Sequence, residues 1–95
     1  MVVGTLRIYL YLHENRSLKG KRKVVRSIID RVRARFNVSV AEVGSNDKWQ
    51  SIELGVSTVS NDRRVVDSSL STVRGFIESL YLAEVIDSEM EIINL

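Results

Sequence analysis

The side chains best suited to chemistry in this chain are basic, and they are concentrated in one segment. Nine Lys or Arg residues lie within the twenty positions from Arg16 to Arg35, against one acid, Asp30, so the segment carries +8 (nine minus one). The whole chain carries only +2, because its other residues, five cations and eleven acids, sum to −6. A local excess of this kind is typical of a surface that binds a polyanion or an acidic partner.

The basic segment has the periodicity of an amphipathic helix that is capped by Ser17 or Asn15 and ends at Asn37. At about 100° per residue, most of its cations fall on one side of the apolar stripe. Lys21 falls on the stripe itself, so it is expected in the entry turn or with its charged end extended outward. The residues predicted to contact phosphate are Arg16, Lys19, Lys21, Arg22, Lys23, Arg26 and Arg33.

The first turns of this helix are an unfavourable place for cations. Lys19 and Lys23 lie near the positive end of the helix dipole, where each cation costs about 0.3–1 kcal/mol at low salt. Acids would be more stable there, so the cations favour a role in binding. Phosphate is the first candidate, because free helix amides together with Lys and Arg bind it. An acidic protein surface and a plain solvated face are the alternatives.

No constellation for catalysis, metal or cofactor binding stands out. The chain has no Cys and one His, which excludes thiol nucleophiles and multi-histidine metal sites. His13 and Glu14 form an isolated acid–base pair in a loop. Phosphate-loop and dinucleotide fingerprints are missing from the sequence. We therefore expect no enzyme activity, no cofactor and no metal.

The elements that must position the basic helix follow the order β-α-β-β-α-β. A second helix, capped by Asn61 or Asp62, carries an apolar stripe from Val65 to Leu80. This order predicts one α+β, ferredoxin-like domain over residues 1–95, with two helices on one face of a four-stranded antiparallel sheet of order 4-1-3-2. The predicted strands are Val2 to Leu12, Val38 to Val43, Trp49 to Val59, and Glu84 to Leu95, with Met90 and Ile92 facing inward.

The other face of such a sheet is left bare. Tyr9 and Tyr11 would project from it, with Trp49 at the edge of the third strand. Aromatic residues on the central strands of similar sheets stack RNA bases, but they are also enriched at subunit interfaces. These three side chains are therefore predicted to form a homodimer or partner interface, to stack bases, or simply to cover the surface of the sheet.

Composition and hydropathy indicate which broad class of protein the sequence belongs to. The apolar content of 44% is ordinary for a globular domain, and no apolar run approaches the roughly 18 residues of a membrane span. The first residues lack the basic start and small-residue cleavage site of a signal peptide. A cytoplasmic protein without a membrane partner is the expectation.

Four segments, in order along most of the chain, carry a resemblance to a known family: Ser17–Arg22, Phe36–Val43, Trp49–Gln50 and Leu54–Ser60. Together they resemble the YlxP-like family of small uncharacterised bacterial proteins, a domain of unknown function. The resemblance implies the ferredoxin-like fold and brings no catalytic residues. Genes of the family often adjoin those for translation initiation and ribosome maturation factors, which implies RNA or a ribosomal particle as partner. We therefore expect a non-catalytic accessory protein with such a partner, or alternatively a homodimeric interaction module.

Overall fold

Strands with apolar residues at every second position pair into one antiparallel sheet in the structure, a computed structural model that describes residues 1–95. The sheet order is β2-β3-β1-β4, which confirms the predicted ferredoxin-like arrangement with the first and third strands in the centre. The elements are β1 (Val2–Tyr11), α1 (Leu18–Arg35), β2 (Ser39–Gly44), β3 (Ser51–Ser60), α2 (Arg63–Ser79) and β4 (Glu84–Asn94).

The core lies between the helices and one face of the sheet. Leu6, Ile8 and Leu10 of β1 are buried against the helical layer, and their odd-numbered neighbours face the other way. Helix α2 packs on β1, β3 and β4, whereas α1 packs on β2 at the edge. Gly4 permits the close approach of α2, because a Cβ there would lie 2.2 Å from Cγ1 of Val66.

The side chains of β4 point to the predicted faces of the sheet, but Met90 is less buried than expected. Met90 stands opposite Leu6 and Ile92 opposite Gly4, so both face the helices. Ile92 packs against the core, whereas Met90 remains 39% exposed because β4 is an edge strand. Val65 is also exposed, so the stripe of α2 begins at Val66. Neither helix is long and apolar enough to span a membrane.

Candidate nucleic-acid interface

The start of α1 is fixed by a loop built around Asn15 and Gly20. Ser17 is the N-cap, and its Oγ accepts a hydrogen bond from the backbone N–H of Gly20 at 3.0 Å. A Cβ on Gly20 would lie 2.3 Å from Oδ1 of Asn15, so this position has no room for a side chain. Asn15 donates from Nδ2 to the carbonyl oxygens of Ser17 at 2.8 Å and Trp49 at 2.6 Å. The loop therefore holds Trp49 next to the first turn of the basic helix.

Five of the predicted contact residues share one surface, an open groove of about 570 Å³ between α1 and the edge strand β2. We call it the basic groove. All five are exposed, and none has a carboxylate oxygen within 4.0 Å, although Asp30 and Glu42 also line the groove. Arg33 donates from Nη2 to the carbonyl oxygen of Val40 at 3.1 Å, which holds its guanidinium against β2. The five cations are Lys19, Arg22, Lys23, Arg26 and Arg33.

Lys21 does not belong to this surface, which corrects its prediction as a phosphate contact. It is only 1% exposed and lies in the apolar stripe of α1 with Val25 and Ile28. Its Nζ lies 3.1 Å from Oε2 of Glu42 and donates to the carbonyl oxygen of Ser45. Oε2 of Glu42 is buried without an aligned hydrogen bond, so the ammonium compensates its charge mainly as an ion pair.

The other cations of the segment occupy different surroundings. Arg16 is exposed in the loop directly before the cap and does not line the basic groove. Arg31 donates from Nε to Oγ of Ser27 at 3.1 Å, and the Arg35 guanidinium lies 5.0 Å from the ring centroid of Phe76. Arg31 and Arg35 are absent from the groove lining, so only part of the segment's charge is displayed there.

One cation outside the segment escaped the sequence reasoning. Lys48 is exposed in the loop between β2 and β3, beside Trp49, and its backbone N–H donates to the carbonyl oxygen of Ser45 at 3.0 Å. A single cation in a turn forms no sequence pattern that predicts a binding role. The contact between Asn15 and Trp49 brings this loop to the start of α1.

The bare face of the sheet is acidic rather than basic. Tyr9 and Tyr11 are half-buried there, and Tyr9 stands opposite Glu53 on one side and Asp87 on the other. Arg7 is the only Lys or Arg on this face, and its pKa is raised by the neighbouring Tyr9 side chain and then by nearby carboxylates. The acids that share the face are Glu53 of β3 and Glu84, Asp87, Glu89 and Glu91 of β4.

Trp49 is separated from these two tyrosines. It is 54% exposed and precedes β3, whose first residue, Ser51, pairs with Tyr11. The three aromatic side chains predicted as one group therefore divide into two places. Trp49 lies at the start of the basic helix, and the tyrosines lie among carboxylates on the bare face.

The one histidine makes a simple surface contact. Nε2 of His13 lies 3.7 Å from Oε1 of Glu84, and both side chains are well exposed. The ring of Tyr11 meets His13 edge-on, with the centroids 4.8 Å apart. No three His, Asp or Glu side chains converge to hold a metal ion.

Three comparisons with known proteins bear on this geometry. A family model described as "Protein of unknown function (DUF503)" matches residues 3–90. The uncharacterized protein YlxP of Bacillus subtilis (strain 168) is 36% identical over 78 residues, which is 82% of this chain and 85% of that protein. A solved structure, the de novo designed protein Foldit4, has a TM-score of 0.54 over 99% of this chain and 97% of its own, at 14% identity. That likeness concerns the fold alone.

Proposed function

The chain belongs to the DUF503 family, and we propose that it is a non-catalytic accessory protein that binds structured RNA or a ribosomal particle through the basic groove. One observation carries the proposal: five exposed cations line a single groove without a carboxylate partner within 4.0 Å. Cations whose charge is not compensated within the protein are available to replace the counterions of a polyanion.

The positions of the cations suit a phosphate backbone. Arg22 and Arg26 are four residues apart on α1, about 6 Å along the helix axis, and Arg33 lies about two turns further. The exposed start of α1 adds backbone N–H groups and the positive end of the helix dipole. Contacts of this kind fix position and orientation, so recognition is expected to follow the shape of the RNA more than its sequence.

Trp49 is the aromatic side chain that could add a base contact. It is exposed, it has exposed Lys48 beside it, and its backbone is bonded to the loop that starts α1. An unpaired base at this end of the basic groove could stack on its ring, a contact that contributes about 1–3 kcal/mol per base. Tyr9 and Tyr11 are poorer candidates, because the carboxylates around them repel phosphate.

A homodimer formed by two bare faces is the less favoured alternative. In a two-fold interface each face meets its own copy. Five acids and one cation, Arg7, give this face a charge of −4 (one minus five), so two such faces would repel each other. Repulsion between like charges at an interface costs several kcal/mol.

Charge reversal within the groove tests the proposal. The variant Arg22→Glu/Lys23→Glu is compared with Arg31→Glu/Arg63→Glu, which makes the same change of charge at exposed positions outside the groove. Binding of purified protein to structured RNA and to ribosomal subunits is measured at low salt. The proposal predicts that the groove variant loses binding and that the control keeps most of it.

Equal losses in the two variants would mean that total charge, and not the groove, attracts RNA. If the wild-type protein binds neither RNA nor ribosomal subunits at low salt, the proposal fails. Thermal melts of all three proteins establish that each is folded, so a loss of binding cannot be assigned to unfolding.

A further inference from the structure

The two edges of the sheet lie beside opposite charge, since the cations of α1 flank β2 and acids of β4 line the other edge. In the order β2-β3-β1-β4, β2 and β4 each have a neighbouring strand on one side only, so each has one edge whose backbone groups are free of strand partners. The basic groove runs along the edge of β2. The other edge, on β4, carries Glu84, Asp87, Glu89 and Glu91 on the bare face of the sheet.

We propose that β4 of one copy of this chain docks along the basic groove of a second copy, adding to the free edge of β2. An exposed edge strand is a ready template for pairing with another chain. The proposal concerns contacts between proteins and does not depend on RNA binding.

The spacing of the charges matches in this arrangement. Asp87, Glu89 and Glu91 alternate on one face of β4, so neighbouring carboxylates are about 6.7 Å apart along the strand. Arg22 and Arg26 are about 6 Å apart along α1. The two spacings are similar, so two successive carboxylates can meet two successive guanidinium groups.

The geometry also sets how the copies are oriented. The acids of β4 lie on the bare face of their sheet, whereas the basic groove lies on the helical side of β2. The bare face of the docked copy must therefore lie on the same side of the extended sheet as α1 of the first copy. No helix of the docked copy occupies that face, which leaves space for α1 of the first copy.

Repulsion between like charges disfavours the two competing contacts, β4 with β4 and basic groove with basic groove. Two β4 edges would bring together eight carboxylates, four from each copy, and two basic grooves would bring together ten cations, five from each. Only unlike edges attract, so the charges specify a head-to-tail contact as well as stabilise it. A head-to-tail contact leaves a free edge at each end, so it builds chains or rings and not a closed two-fold dimer.

A charge-swap experiment tests this contact with nucleic-acid-free protein in sedimentation velocity. One variant is Glu89→Lys/Glu91→Lys, and the other is Arg22→Glu/Arg26→Glu. At low salt the average mass of the wild-type protein is expected to rise with concentration and to return to that of the monomer at high salt. Each variant alone should remain monomeric, and an equimolar mixture should associate again, because each mutated edge then meets an opposite charge.

The control Asp67→Lys/Glu78→Lys makes the same change of charge on exposed positions of α2 and should associate like the wild type. Melts confirm that each variant is folded. A wild-type protein that stays monomeric at low salt, a mixture that stays monomeric, or variants that associate alone would each overturn the proposal. RNA binding is a separate measurement, so failure of either proposal leaves the other standing.

Discussion

Replacing Lys21 with Met distinguishes the structural role of this buried side chain from the proposed binding role of its neighbours. Lys21→Met removes the ammonium that lies 3.1 Å from Oε2 of Glu42 and donates to the carbonyl oxygen of Ser45. Met has a similar length and suits the apolar stripe of α1, so little volume is lost. The carboxylate of Glu42 then stays part-buried without its cation.

The expected cost follows from the burial of the two partners. Removing one partner of a buried ion pair costs about 3–5 kcal/mol. The Glu42 side chain is 18% exposed, so water can reach part of it and the lower end of that range applies. For a domain of this size each kcal/mol shifts the melting temperature by about 4–8 °C, so a loss of about 3 kcal/mol predicts a decrease of roughly 12–24 °C.

A double-mutant cycle measures this effect by urea denaturation of the wild type, Lys21→Met, Glu42→Leu and the double variant. The double variant should recover most of the stability lost in Lys21→Met, because an apolar pair leaves no uncompensated charge. Lys21→Met should also bind RNA like the wild type below its melting transition, whereas the matched surface change Arg22→Met should weaken binding. Full stability of Lys21→Met, or a loss of RNA binding as large as that of Arg22→Met, would refute the assignment.

Three further predictions concern the helix start, the exposed indole and the helix–sheet contact. Lys19→Glu should stabilise the fold by about 0.6–2 kcal/mol in low-salt melts, because it replaces an unfavourable charge at the helix start with a favourable one, yet it should weaken RNA binding. Trp49→Ala should weaken RNA binding by about 1–3 kcal/mol in a titration, and Tyr11→Ala should not; equal effects would contradict the assignment. Gly4→Ala should lower stability by about 1–3 kcal/mol in urea denaturation, because its Cβ would lie 2.2 Å from Cγ1 of Val66.

Much of the fold could be predicted because the local signals agree with one another. The alternation in β1 and β3 and the two helical stripes identify four of the six elements, and connection rules leave few ways to add the two edge strands. Ser17 was one of two candidate caps because Ser and Asn both accept backbone hydrogen bonds. In the structure Ser17 is the cap. Asn15 instead lies beside the first turn, in the space that is open because Gly20 has no side chain.

The candidate site was harder to predict because its partners are distant in the sequence. The helical spacing placed Lys21 on the apolar stripe, but Glu42 and Ser45, which compensate its charge, lie on another strand and its loop. Glu84 shares a face with Asp87 only because the pairing of β1 with β4 shifts register between Tyr9 and Leu10. Such relations arise from tertiary contacts, which a single sequence does not display.

The salt dependence of RNA affinity tests the central proposal most directly. If the five cations of the basic groove contact phosphates, the logarithm of the association constant should fall with that of salt concentration with a slope of about −3.5 to −4.5. From about 50 to 200 mM salt the affinity should then fall roughly 100- to 500-fold, and Arg22→Gln/Lys23→Gln should reduce the slope by about 1.4–1.8. A slope near zero, or a slope that this double substitution leaves unchanged, would contradict RNA binding through the basic groove.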